Sequence, residues 1–481
     1  MCEVDGGNGL IAQRAALAHE LASAPGTLLT IPFLRHLGVQ SVRYVPGDAV
    51  LRLPIEAHLE NSFDMVHGGV TMTLLDVCMA MAARSVINES LAVSATGESH
   101  GVVTIEMKTS FLAPGMGTLF ARGACLQKGA SLLFCEGELF DLKGHLVATM
   151  AIHNRRIVLA ARPSGVVTSD CFRLEDQQLP DLEEGQLLVR NHYMSLDPYM
   201  RGRMDDAKSY AAPQALGQTM QGATVGIVEQ SRNAQFAVGD HVVGMFGWQH
   251  YGVSDGKAIA KIDASKIPMS AFVGVMGMPG ATAWYGLNRI IDPKPGETIV
   301  VSAASGAVGA VVGQLAKFKG CRVVGVAGGA EKCRVVVDAF GFDACIDYKA
   351  GRLYEDLAAA TPDGIDGNFE NVGGPVLDAV LRRMNGFGRI AVCGLIAGYN
   401  GEDIALKSTR SILVNRLKVQ GFIISEHMAD WPKAHAEIGQ AIIDGKLHYK
   451  ETIAQGLEQA PEAFIGLLKG KNLGKQLVKL V

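Results

Sequence analysis

The 481-residue sequence contains few charged side chains and no long uninterrupted apolar run. Only 19% of its residues are charged and the formal net charge is -4, so it lacks the broad basic field that nucleic-acid binding normally needs. No stretch of about 18 apolar residues escapes interruption by glycine, proline or charge. The acidic residues Glu3 and Asp5 also make the N-terminus unlike a signal peptide. We therefore expect a soluble cytoplasmic protein without nucleic-acid or membrane partners.

Paired cysteine motifs are also absent. The nine cysteines are scattered and contain no CxxC pair, which argues against a disulfide scaffold or a structural zinc cluster. A hydrophobic content of 48% with 57 glycines is typical of globular domains built on sheets with tight turns. At this length we expect two or three compact units.

The connector between residues 153 and 165, HNRRIVLAARPSG, divides the chain. Before it, residues 68–86 have the pattern of a long helix, and four alternating segments are separated by Pro-Gly, Lys-Gly and Lys-Gly turns at residues 114–115, 128–129 and 143–144. The pattern predicts an α+β first domain, residues 1–155, in which an antiparallel sheet wraps one long helix.

The part after the connector changes its periodicity near Thr298. Residues 166–267 are strand-rich with frequent glycines, as in a barrel-like domain. From Thr298 the order strand, glycine turn, helix repeats, which predicts an α/β domain with a parallel sheet. We expect a β-rich catalytic domain at 156–275, completed by 425–481, and a nucleotide-binding domain at 276–424.

The segment NSFDMVHGG at residues 61–69 leads directly into the predicted long helix. Two glycines at a helix start expose backbone N–H groups to an anion, such as the oxyanion formed when a thioester is attacked. Asp76 follows in an apolar run, where an isolated carboxylate needs a partner or a function. Taken singly, His67 could cap a turn and Asp76 could be a solvated helix residue.

Together, Asn61, His67, Gly68, Gly69 and Asp76 resemble the motif of PaaI-type hotdog-fold thioesterases, over about residues 34–154. The resemblance implies that Asp76 acts as nucleophile or general base, that Gly68 binds the oxyanion, and that His67 and Asn61 orient an acyl-CoA thioester. Thr104 corresponds to a residue that positions water. In this family the site lies between two subunits, so a homodimer or homotetramer through this domain is implied.

A second motif, IVVSAASGAVGAVVG at residues 299–313, is a strand, a small-residue turn and a helix start. It differs from GxGxxG only at Ala304, and it fits a dinucleotide site in which the backbone of Gly306, Ala307, Val308 and Gly309 approaches a pyrophosphate. The next strand ends without an acidic residue, and a cation there suits a 2'-phosphate. We therefore expect NADPH, with Lys332 as first and Arg334 as second phosphate ligand, although Glu331 argues against this assignment.

Four further motifs resemble the zinc-free medium-chain reductases that include prostaglandin, 2-alkenal and curcumin reductases: NHYMSLDPYMRGRM (191–204), GMPGATAWYGL (277–287), NVGG (371–374) and FGRIAVCGLIAGYN (387–400). The resemblance implies cofactor contacts at Lys332, Tyr348, Asn371, Cys393, Gly394, Tyr399, Phe422 and Asn472.

For the second domain this resemblance implies NADPH-dependent reduction of the C=C bond of enals or enones, with Tyr399 nearest the chemistry. A zinc ligand set is absent from the sequence, so we expect no metal. The chain is thus predicted to be a bifunctional enzyme. Two alternatives remain: the hotdog domain is an inactive dimerisation or acyl-binding module, or the second domain is a quinone reductase.

Overall fold

A computed structural model describes residues 6–29, 31–90, 109–128, 133–150, 153–179 and 182–481. The chain forms two compact units, residues 1–153 with 178–180 and residues 154–177 with 181–481. We call them the N-terminal unit and the C-terminal unit. The boundary predicted at residue 155 lies two residues from this division, and the further split of the second unit at 275 and 424 stays a prediction.

The N-terminal unit is one long helix against an antiparallel sheet. The sheet has the order β1-β2-β3-β5-β6-β7-β4, and each neighbouring pair is antiparallel. Its elements are α1 (Gly6–Ala22), β1 (Thr27–Leu28), α2 (Pro32–His36), β2 (Gln40–Val45), β3 (Asp48–Pro54), α3 (Gly68–Ser90), β4 (Ser110–Phe111), β5 (Thr118–Lys128), β6 (Leu133–Asp141) and β7 (Leu146–Met150).

Helix α3 packs on the sheet where two glycines lie opposite each other. Gly123 of β5 pairs with Gly137 of β6, and a Cβ at Gly123 would lie 2.5 Å from the carbonyl carbon of Cys78. The Cys78 thiol donates to Ala49 O at 3.1 Å and to Ala121 O at 3.0 Å. The segment Gly68–Val86 is apolar and long enough to cross a membrane by composition alone, but in the structure it forms the core helix of this unit.

The C-terminal unit begins with a two-stranded sheet and a mixed sheet. The mixed sheet has the order β14-β12-β11-β10-β22-β21, with β13 also paired to β10; only β21 and β22 are parallel. Its elements are β8 (His153–Leu159), β9 (Phe172–Gln178), β10 (Leu187–Ser195), α4 (Tyr199–Arg203), β11 (Thr224–Ser231), β12 (His241–Gly244), β13 (Tyr251–Ser254) and β14 (Ile259–Lys261), with β21 and β22 supplied by the end of the chain.

A six-stranded parallel sheet follows in the order β17-β16-β15-β18-β19-β20, which is the strand order of a Rossmann fold. The remaining elements are α5 (Met278–Tyr285), a π-helical turn (Gly286–Ile291), β15 (Thr298–Ser302), α6 (Gly309–Phe318), β16 (Arg322–Ala327), α7 (Ala330–Asp338), β17 (Ala344–Asp347), α8 (Leu353–Ala360), β18 (Ile365–Glu370), α9 (Gly374–Leu381), β19 (Met384–Val392), α10 (Arg410–Val414), β20 (Lys418–Gly421), α11 (Trp431–Ile443), β21 (Glu451–Gln455), α12 (Ala460–Leu468) and β22 (Lys475–Lys479).

Helices cover both faces of the parallel sheet, so its central strands are buried throughout. Every residue of β15 is buried, as expected for a sheet with a core on each side. One core contains Val301 and the apolar residues of α5 and α6, and the other contains Val300 with Leu357 and Val380. The predicted architecture, a long helix against an antiparallel sheet followed by a β-rich part and a Rossmann sheet, is confirmed.

Candidate active sites

The first turn of α3 leaves one backbone donor available. Gly69 N–H donates to His67 Nδ1 at 3.1 Å, and the N–H groups of Val70 and Thr71 donate to His67 O at 2.9 and 3.2 Å. The first four N–H groups of a helix have no acceptor within it. Among these four, only the Gly68 N–H makes no hydrogen bond within the part of the chain that the structure describes, so Gly68 is the better oxyanion donor of the two glycines.

The residues before α3 form a tight turn that orients this donor. Asn61 Oδ1 accepts the N–H of Phe63 at 2.9 Å, and Asn61 N–H donates to Met65 O at 2.7 Å. The Asn61 amide therefore shapes the turn, while Phe63 is 75% exposed. On the other side, a Cβ at Gly68 would lie 3.5 Å from the Phe111 ring.

Asp76 lies on the same helix as Gly68 but not beside it. Eight residues separate the two, which corresponds to about 12 Å along a helix axis. The structure therefore does not bring Asp76 and the Gly68 N–H of one chain to a common thioester carbonyl. Asp76 is half-buried, and His67 is exposed. Thr104 lies outside the described residues, so its placement stays a prediction.

The predicted dinucleotide loop joins β15 to α6. Ala304, the residue that replaces the first glycine of the motif, is fully buried. Gly325 on β16 makes room for it, because a Cβ at Gly325 would lie 2.8 Å from Ala304 Cβ. A Cβ at Gly309 would lie 2.4 Å from Ala303 O. The helix thus starts directly against the strand, and its N-terminus faces the loop at Gly306.

The predicted cofactor residues all follow the carboxyl ends of parallel strands or lie beside that edge. In an open α/β sheet this edge is where ligands bind. Six strands contribute in turn: β15 precedes Gly306 to Gly309, β16 precedes Lys332, β17 precedes Tyr348, β18 precedes Asn371, β19 precedes Cys393 and Gly394, and β20 precedes Phe422.

The segment from Gly470 to Gly474 runs along the dinucleotide loop. Lys332 Nζ donates to Gly470 O at 2.6 Å, and Gly474 N–H donates to Ser305 O at 2.8 Å. Asn472 Nδ2 donates to Gly474 O at 2.7 Å. These contacts bring Lys332, Asn472 and the loop together although they are far apart in sequence.

A buried hydrogen-bond network, which the sequence did not reveal, holds Asn371. Ser302 Oγ donates to Glu370 Oε1 at 2.8 Å and accepts the N–H of Asn371 at 2.7 Å. Asn371 Nδ2 donates to Ser302 O at 2.8 Å. Glu370 is fully buried and also accepts the N–H groups of Val372 and Gly373, so strand β18 ends in a rigid turn.

Tyr399 lies at a cluster of phenol groups. Its hydroxyl accepts the N–H of Leu395 at 3.4 Å. Burial raises its pKa, and the nearby Cys393 and Tyr210 contribute in the same direction. Burial also raises the pKa values of Tyr210 and of Tyr199, on α4. Tyr210 and Tyr199 are candidates that sequence reasoning missed, although Tyr199 stands within the quoted motif DPYMRGRM.

No group of three or more His, Cys, Asp or Glu side chains is placed to hold a metal ion in the ranges that the structure describes. Cys333 and Cys345 lie near each other, and burial raises the pKa of both thiols. Protonated thiols are poor metal ligands. The metal-free site stays a prediction.

Three family models match the chain. The model described as "Thioesterase superfamily" matches residues 63–148, which include His67, Gly68 and Asp76. "N-terminal domain of oxidoreductase" matches residues 155–262, and "Zinc-binding dehydrogenase" matches residues 307–440.

Curated relatives and solved structures cover the C-terminal two-thirds. An NADPH-dependent curcumin reductase of Escherichia coli is 48% identical over 336 residues, which are 68% of this chain and 97% of the relative. A 2-alkenal reductase (NADP(+)-dependent) of Nicotiana tabacum is 40% identical, over 68% of this chain and 97% of the relative. CurA of Vibrio vulnificus in complex with NADPH is 48% identical with a TM-score of 0.66, over 68% of this chain and 99% of that one. The chain therefore belongs to the curcumin, prostaglandin and 2-alkenal reductase family and carries a thioesterase superfamily domain ahead of the reductase.

Proposed function

We propose that the C-terminal unit is an NADPH-dependent reductase of C=C bonds conjugated to a carbonyl. The observation that carries this proposal is the assembly of the cofactor candidates at one edge of the parallel sheet, with Tyr399 beside it. The residues fit NADPH: Gly306 and Gly309 leave the backbone bare at a helix start, and Lys332 is half-buried with no carboxylate ion-paired to it among the placed residues. The relatives named for NADPH use support the same cofactor.

Bound NADPH supplies a hydride to the β-carbon of the substrate. The chain's own part is to hold the carbonyl oxygen on which negative charge develops. Tyr399 suits this role because its raised pKa keeps the phenol protonated, so that it donates a hydrogen bond to the enolate oxygen. Tyr210 contributes to the raised pKa of Tyr399, and we propose it as a second donor. Water then supplies the proton to the α-carbon, which completes the saturated aldehyde or ketone.

The test of the reductase is NADPH oxidation with an enal, an enone and the matching saturated ketone, with identification of the reduced bond. Tyr399→Phe should lower kcat about 100-fold, as for loss of one oxyanion donor. Tyr354→Phe, which removes a hydroxyl bonded to Asp378 instead, is the control. Reduction of the saturated ketone at a rate equal to the enone would contradict the proposal.

We further propose that the N-terminal unit hydrolyses acyl-CoA thioesters in a site formed by two copies of the chain. The available Gly68 N–H supports an oxyanion role. The separation of about 12 Å between Gly68 and Asp76 along one helix supports a site in which Gly68 of one copy and Asp76 of another face the same carbonyl. Hydrolysis of a panel of acyl-CoAs, measured together with oligomeric mass, tests this. Full activity in a monomer would rule out the shared site.

A further inference from the structure

Gly328, just after strand β16, has no side chain, and the side chains of Tyr348 and Lys349, which follow β17, lie over its backbone. A Cβ at Gly328 would lie 2.9 Å from Tyr348 Cε1 and 3.1 Å from Lys349 Cε. The Lys349 side chain therefore runs across this glycine, and its ammonium is 5.9 Å from the centre of the Tyr348 ring. Lys349 is exposed, so the ammonium is open to a ligand at the carboxyl edge of the sheet.

Lys332 lies in the first turn of α7, and its Nζ donates to Gly470 O at 2.6 Å. Burial lowers the pKa of Lys332, and the positive charge of Lys349 lowers it further. The two positive charges repel each other, and an anion that binds near both would be attracted by both. Neither lysine has a carboxylate within ion-pair distance among the residues that the structure places. Asp347 Oδ1 accepts the N–H groups of Gly329 and Lys349 and so fixes the turn that carries Lys349.

Arg334 is in a worse position to join Lys332. Residues two apart on a helix point to different sides, and both belong to α7. Arg334 is exposed, whereas Lys332 is half-buried. Lys349, which reaches the site from the next strand, is therefore the better candidate for a second cation.

We propose that Lys349 is a second cation for the 2'-phosphate of NADPH, and that Lys332 and Lys349 together determine the preference for NADPH over NADH. The inference rests on the proposed reductase function, since it assigns a residue of this chain to the cofactor of that reaction. A phosphate dianion between the two ammonium groups would remove their repulsion and form a charge-assisted hydrogen bond with each.

The test measures binding of two small probes to the full-length protein by calorimetry: 2',5'-ADP, which carries the 2'-phosphate, and 5'-AMP, which does not. Lys349→Ala should weaken 2',5'-ADP about tenfold and change 5'-AMP by less than about twofold. Lys332→Ala should act in the same direction. Lys349→Arg should keep most of the preference for 2',5'-ADP over 5'-AMP, because it keeps the positive charge. The loss of 2',5'-ADP affinity in Lys349→Ala should be smaller at high salt.

Lys418→Ala is the matched control, because Lys418 is an exposed lysine at the amino end of β20, the opposite edge of the sheet. It should leave both affinities unchanged. If Lys349→Ala binds 2',5'-ADP as tightly as the wild type while Lys332→Ala does not, Lys349 is not part of the site. If the wild type itself binds 2',5'-ADP no more tightly than 5'-AMP, the NADPH assignment fails along with this inference.

Discussion

Gly68 and Asp76 show how the chemistry of single residues depends on their place along an element. The N–H groups of Gly69, Val70 and Thr71 all donate to His67, and the N–H of Gly68 is the remaining donor of the first turn. Asp76, two turns further along α3, is half-buried among apolar neighbours such as Leu75 and Cys78. Activation of water by this carboxylate is the role that we propose.

Asp76→Asn tests that role. The amide is nearly the same size and should preserve the fold and the NADPH-dependent activity, but it cannot accept a proton from water. Acyl-CoA hydrolysis should therefore fall at least about 100-fold, within the range for loss of a general base. Asp64→Asn removes an exposed carboxylate of the same segment and should leave the rate unchanged. Equal rates in wild type and Asp76→Asn would remove Asp76 from the mechanism.

The buried carboxyl group of Glu229, on β11, should make the stability of the protein depend on pH. Glu229 is 5% exposed, its Oε2 has no hydrogen-bond partner among the residues that the structure places, and burial raises its pKa to about 7. Because the folded-state pKa lies above the unfolded value, the folded state binds the proton more tightly. The stabilisation is fully present below about pH 4 and is lost as the pH rises towards 7.

Glu229→Gln should abolish this loss. Unfolding of the variant and the wild type should differ little near pH 4 and by about 3 kcal/mol near pH 8, in favour of the variant. Denaturant unfolding at a series of pH values measures this. Glu184→Gln, at an exposed carboxylate of the same unit, should follow the wild-type curve. If the free energies of unfolding of the wild type and of Glu229→Gln change equally between pH 4 and 8, the raised pKa assigned to Glu229 is wrong.

At the scale of elements, contact between α3 and the sheet depends on glycine. The helix lies so close to β5 that any Cβ at Gly123 would overlap the backbone at Cys78. Backbone atoms cannot rotate away as a flexible side chain can. The helix that carries Gly68 and Asp76 is therefore positioned by a residue of the opposite element.

Gly123→Ala should consequently lower the free energy of unfolding of the N-terminal unit by about 3 kcal/mol, the cost of overpacking a tight interface, and should weaken acyl-CoA hydrolysis. Gly117→Ala adds the same methyl group where no atom of the described residues lies within 4 Å, at a φ of +71°, so only backbone strain of about 1 kcal/mol is expected. Thermal or denaturant unfolding compares the two. A smaller loss for Gly123→Ala than for Gly117→Ala would contradict the close-packing argument.

At the scale of the whole molecule, the two proposed activities use separate sets of residues. All thioesterase candidates fall within residues 1–153, and all reductase candidates fall within the C-terminal unit. Expressed separately, residues 1–155 should form a dimer that hydrolyses acyl-CoA, and residues 156–481 should reduce enals alone. Assays and oligomeric mass of each half decide this. A half that folds and oligomerises yet works only when the other is added would show that a site is shared between the units.

Much of the fold could be predicted from the sequence, because local patterns report local structure. The turn dipeptides and alternating segments indicated an antiparallel sheet around a long helix, and the repeated strand, glycine turn and helix indicated the parallel sheet. The motif at residues 299–313 also predicted the strand, the turn and the helix start that the structure shows at β15 and α6. Each of these features depends on residues close together in the chain, whose backbone preferences and periodicity are visible in one dimension.

Only the tertiary structure decided which distant residues meet. Lys349 joins Lys332 because β17 lies next to β16 in the parallel sheet, and Arg334, though nearer to Lys332 in sequence, lies on another side of the helix. Tyr210, almost 200 positions away in the sequence, contributes to the raised pKa of Tyr399. The buried Ser302 and Glu370 are joined by the pairing of β15 with β18. Strand order brings these groups together, and a sequence by itself does not show strand order because the pairing energy depends on contacts across the fold.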